Sequence, residues 1–169
     1  MKPASLAALF LLATVSLATW TSAAESIVPA KLKVAAVQMR STRNLADNLA
    51  RITNSIHTVA RDGARVVAFP ECALTGYFED TATNVTTTQL AQAETQIADA
   101  CKSVGIYAIV GSAWREDGKL LNSALIFSPA GKVIERYHKI QLAERWPQAG
   151  DHLSVFKIDG VPCSVIICH

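Results

Sequence analysis

Three residues with complementary chemistry each stand at the downstream end of a predicted strand. Glu71 follows residues 65–70, Lys139 follows residues 133–138, and Cys168 follows residues 164–167. In open α/β sheets, ligands bind in the crevice beyond the carboxyl ends of the strands. A carboxylate, an ammonium and a thiol meeting there supply a base, an electrophilic stabiliser and a nucleophile. That set suits acyl transfer through a thioester intermediate. Singly, each residue has a plainer explanation: a turn glutamate, a solvated lysine, a core cysteine. Their shared strand-end placement favours the joint reading.

The elements that must position them are legible as hydrophobic periodicity. Residues 33–39 read as a buried strand opening the fold. Leu45, Leu49, Ile52, Ile56 and Val59 recur at helical spacing, with Asn44 suited to the N-cap and Gly63 to the C′ position. Residues 65–69 give a second strand. A second helix is predicted over about residues 88–103, with Ile97, Cys101 and Val104 facing inward and Gly105 ending it. Strands at residues 106–114 and 120–127 flank Asp117-Gly118, a strong hairpin signal. Residues 129–131 turn the chain into a strand at 133–138. After a polar stretch come residues 154–158, a second Asp-Gly turn at Asp159-Gly160, and an apolar strand at 162–168. The order β-α-β-α-β-β-β followed by a hairpin indicates an α/β fold with helices on one sheet face.

The 169 residues allow one domain at most, and a composition that is half apolar suits a packed core. Residues 1–24 stand apart. Lys2 forms a short positive region, residues 4–19 are almost uninterruptedly apolar, and residues 21–24 are small, as at a signal peptidase site. The expectation is a cleaved signal peptide, export to the periplasm or the extracellular space, and no stable membrane association afterwards. Loss of Lys2 from 16 basic residues leaves 15 against 14 acidic ones, a balance that points to no nucleic-acid partner. Export permits disulfides among Cys72, Cys101, Cys163 and Cys168. A thiol nucleophile leaves an odd number, however, and the first three read better as small apolar residues.

Three segments carry a resemblance. Residues 69–77 (Phe-Pro-Glu-Cys-Ala-Leu-Thr-Gly-Tyr), residues 122–131 followed by 136–142, and residues 165–169 (Val-Ile-Ile-Cys-His) occur in the order of the three signatures of the nitrilase, or carbon–nitrogen hydrolase, superfamily. Residues 34–39 are similar to its first strand, so the resemblance covers residues 31–169. It implies a Glu-Lys-Cys triad of Glu71, Lys139 and Cys168, with no cofactor and no metal. It also implies Glu144, between the lysine and the cysteine, as a glutamate that helps position substrate, although the spacing from Lys139 is shorter than usual. The implied fold is an αββα sandwich, of which this chain holds about half. The implied substrate is a small amide, carbamoyl compound or nitrile, and the full-length form is open to homo-oligomerisation.

The chain stops one residue past an apolar strand, where natural termini rarely fall, and the expectation is a truncated domain. Cys168 and His169 do not make a cysteine-protease dyad, because adjacent strand residues point to opposite faces. Cys163 and Cys168 likewise fall on opposite faces, His57, His138 and His152 lack ligand spacing, and no glycine-rich phosphate loop is present. Two classes remain: a carbon–nitrogen hydrolase working through a Cys168 thioester, and a non-catalytic truncated remnant of one.

Overall fold

The computed structural model describes residues 31–168, so the expected signal peptide lies outside the described residues. Its main sheet has five strands: β1 (Val34–Ala36), β2 (Val66–Ala68), β3 (Tyr107–Glu116), β4 (Lys119–Phe127) and β5 (Val133–His138), in that spatial order. β1, β2 and β3 are mutually parallel, while β4 runs antiparallel to both β3 and β5. Two reversals return β5 to the direction of β2. The residues that follow β2 and β5 therefore emerge at the same end of the sheet.

Helix α1 (Leu45–Arg61) begins where the Asn44 side chain accepts from the N–H groups of Ala46 and Asp47 at 2.9 and 3.2 Å. Gly63, with φ of 79°, ends its C-terminal turn in the left-handed region that favours glycine. A six-residue helix, α2 (Glu79–Asn84), is too short and too polar to show a periodicity, and pattern reading misses it. Helix α3 (Thr87–Val104) starts at a capping box formed by Thr86 and Gln89 and stops at left-handed Gly105.

Side-chain alternation along the strands divides the core. Val67, Ala108, Val110, Leu125 and Phe127 face the helical layer and meet Ile52, Ile56 and Ile97, all three at most 1% exposed. Such burial contributes about 1.5–3 kcal/mol per large aliphatic side chain. Val66 and Ile126 face the other way, onto the hairpin of β6 (Phe156–Ile158) and β7 (Val161–Cys163). The layers are thus helix, sheet, sheet. Both Asp-Gly turns form as expected: Asp117 and Gly118 have φ of 49° and 75°, Asp159 and Gly160 of 48° and 84°.

Two strands differ from expectation. The opening strand is short and lies at the sheet edge, so Val34 is 62% exposed rather than buried. The last strand ends at Cys163, because its partner β6 spans only three residues. Residues 164–168 carry on without regular pairing, and Cys168 reaches its place along this irregular segment rather than at a strand end.

Candidate active site

The site is built at the common exit of β2 and β5. Lys139 directly follows β5, and its side chain shares the face of Tyr137 two residues earlier, against Ala124 of β4. Asn122 shares the face of Ala124 by the same rule. Glu71 lies just past β2, in a turn pressed against β3. A Cβ on Gly111 would come within 2.3 Å of the Pro70 carbonyl oxygen, 2.6 Å of the Cys72 nitrogen and 2.8 Å of the Glu71 Cα. Only glycine leaves room for that turn. Cys72 completes it with a φ of 52°, a left-handed conformation unusual for a residue with a side chain.

Glu144 arrives on a loop. The chain leaves the sheet at Lys139 and returns at Gln148 and Gly150, whose N–H groups donate to the Leu120 and Lys139 carbonyls at 2.7 and 2.9 Å. Gly150 packs so tightly that a Cβ there would lie 2.4 Å from the His138 carbonyl oxygen. The closed base of this excursion turns Glu144 inward, and its side chain is only 5% exposed.

These elements bring three of the four expected site residues into hydrogen-bond contact. Lys139 Nζ donates to Glu71 Oε1 at 2.8 Å and to Glu144 Oε1 at 2.7 Å. Asn122 Nδ2 donates to the same two oxygens at 2.7 and 3.2 Å. The Tyr77 hydroxyl donates to Glu144 Oε1. Burial depresses the basicity of Lys139, but its bonds to Glu144 and Glu71 outweigh that effect and hold the ammonium above its usual range. Burial pushes Glu144 upward, and the bonds from Lys139 and Tyr77 outweigh it, leaving the carboxyl at about 2. Lys139 and Glu144 are therefore charged at neutral pH.

Cys168 joins the group through a cavity. It lines, with Glu71, Phe69, Gly111, Ala124 and Ile167, a space of about 140 Å³. Cys168 is exposed and has a φ of 50°, so an otherwise extended segment turns sharply there. Non-glycine residues in this conformation concentrate at functional sites. A larger cleft of about 700 Å³ opens near Arg43, Thr75, Asp80 and Gln89, but none of the four expected site residues lines it. Pattern reading misses Asn122 and Tyr77. A polar residue inside the apolar run of β4 is the one signal that marks Asn122; nothing in the spacing marks Tyr77.

What this geometry can do is divide labour. Glu71 is the part of the cluster that reaches the cavity, Lys139 is a buried fixed charge, and Cys168 is an exposed residue of the cavity wall.

Comparison with known proteins identifies the family. The sequence profile of the carbon–nitrogen hydrolase family matches residues 33–169. The omega-amidase NIT2 of Danio rerio is 30% identical over 156 residues, covering 82% of this chain and 55% of the relative. The omega-amidase NIT2-A of Xenopus laevis is 32% identical over 157 residues, covering 83% and 55%. The chain thus spans about half the length of these relatives. Among solved structures, an amidase from Nesterenkonia sp. superposes with a TM-score of 0.75 at 20% identity, covering 81% of this chain and 55% of that one. A Glu→Gln variant of the Nesterenkonia sp. AN1 amidase, with acrylamide added at its active-site cysteine, matches at TM-score 0.75 and 19% identity, covering 82% and 57%. At such identity the superposition establishes the nitrilase-type fold, and the profile establishes kinship: this chain belongs to the carbon–nitrogen hydrolase family.

Proposed function

We propose that the protein hydrolyses the carbon–nitrogen bond of a small amide, or of a carbamoyl compound or nitrile, through a thioester on Cys168. In the amide case Glu71 takes the thiol proton, and the Cys168 thiolate adds to the carbonyl carbon. Lys139 stabilises the oxyanion that develops. The C–N bond breaks, Glu71 returns the proton to the departing amine, and a thioester remains. Water, deprotonated by Glu71, then releases the acid and restores the thiol. Glu144 helps to position substrate indirectly, by holding the Lys139 ammonium that also binds Glu71. The observation that carries this reading is a 1%-exposed lysine bridging two carboxylates, one of which lines the same cavity as Cys168.

Acrylamide tests it directly on the full chain, with peptide mass spectrometry to locate the adduct. Cys168 is expected to react at least about tenfold faster than Cys163, because a general base, Glu71, lines the same cavity. Glu71→Gln and Lys139→Met should each abolish that preference. Equal labelling of the two cysteines, or a preference indifferent to Glu71→Gln, would remove the assignment.

A further inference from the structure

Asn122 is fully buried in the middle of β4 and touches three of the residues that the proposed mechanism uses or positions. Its carbonyl oxygen accepts from the Lys139 N–H at 2.8 Å, fixing the backbone from which the ammonium extends. Its amide nitrogen carries two hydrogens, and each has a carboxylate oxygen to meet, one on Glu71 and one on Glu144. Its amide oxygen faces the Cys72 sulfur at 3.5 Å. We infer that Asn122 is a positioning residue that holds Glu71 against Lys139, its amide oriented by the two carboxylates so that its oxygen meets the Cys72 thiol. The inference rests on Glu71 acting as the base, as proposed above.

The chemistry permits one orientation. A half-turn of the amide would set its oxygen against two carboxylate oxygens, making attractive contacts repulsive, while the thiol, a weak donor and a weak acceptor, tolerates either face. The thiol keeps its hydrogen and can donate it to the amide oxygen: burial, reinforced by the neighbouring Glu71 and Glu144 charges, pushes Cys72 up to about 12. The same property bars Cys72 from acting as the nucleophile. Its left-handed backbone, at the residue after Glu71, brings the sulfur to the asparagine. Asn122 therefore fixes where the Glu71 carboxylate lies beside Lys139.

The test is the rate of Cys168 alkylation by acrylamide in the full chain, read against that of Cys163 in the same sample. Asn122→Ala should slow Cys168 about tenfold, the scale of one lost charge-assisted bond, and leave Cys163 unchanged. Asn122→Asp keeps the size of the side chain but turns its donor into an acceptor; it should slow Cys168 at least as much, and carries the test should Asn122→Ala fail to fold. In a Glu71→Gln background Asn122→Ala should have no further effect, because Asn122 acts through Glu71. An unchanged Cys168 rate in both Asn122 variants, or an equal further loss in the Glu71→Gln background, would overturn the positioning role. Failure of the underlying reading is separable: there, Glu71→Gln alone would leave the Cys168 rate unchanged.

Discussion

At the scale of the residue, the defining choice is a lysine in a site with almost no solvent. Lys139 survives burial because two carboxylates meet its ammonium. Remove the charge and the two carboxylates keep only the neutral donors Asn122 and Tyr77. Lys139→Met should therefore cost about 3–5 kcal/mol at pH 7, the usual toll of breaking a buried ion pair. The pH dependence supplies the sign. In the native protein Glu144 sits below its unfolded value, so its stabilisation is complete above about pH 4.5 and is lost as pH falls toward about 2. In Lys139→Met like-charge repulsion raises the carboxyl groups instead, so the variant gains stability as pH falls through the unfolded carboxylate range. Melting temperatures from pH 7 to pH 3 should fall for the native chain and rise, relative to it, for the variant. Parallel curves would show that the three charges do not act as a unit.

At the scale of the element, the site depends on two close backbone approaches. β3 runs past the end of β2, and Gly111 in that overhang lets the 70–72 turn lie directly on the strand. Adding one methyl group drives it into backbone atoms that no rotamer change can move aside. Gly111→Ala should destabilise the fold by about 1–3 kcal/mol, the cost of overpacking. It should also slow Cys168 alkylation, because the displaced turn carries Glu71. Urea denaturation beside the labelling rate separates these effects. A control, Gly118→Ala in the β3–β4 turn, meets nothing within 4 Å and should lose stability from its positive φ without touching the labelling rate. Loss of stability without loss of labelling in Gly111→Ala would show that the turn relaxes without moving the carboxylate.

At the scale of the whole molecule, the segments flanking the β6–β7 hairpin expose large apolar side chains. Leu153, Val155 and Ile166 are 65%, 70% and 67% exposed, while Ser154, Phe156, Val165 and Ile167 between and beside them face inward. Apolar side chains gathered on one face favour association. The polypeptide should therefore self-associate with increasing concentration in sedimentation velocity. A Leu153→Gln, Val155→Lys, Ile166→Gln variant should shift to monomer while keeping its helix content. A native chain that stays monomeric up to about 100 μM would show that the polar residues among these side chains keep the face soluble, as net charge and mixed surfaces do elsewhere.

Both helices of more than four turns and both Asp-Gly hairpins were readable from local pattern, because each depends on periodicity, capping or turn chemistry within a few neighbouring residues. Glu71, Lys139 and Cys168 stood out as candidates by their place after apolar runs, and Glu144 only through the family resemblance. The short α2, the exposed edge position of β1 and the early end of β7 were not readable, because strand length and burial depend on partners distant in the chain. The contact between Glu71 and Lys139, 68 residues apart, required the two strand reversals that aim β2 and β5 the same way. Asn122 needed more still. A buried amide becomes a clamp only when the 71–72 turn and the stretch from Lys139 to Glu144 converge on it, and only the folded chain brings those segments together.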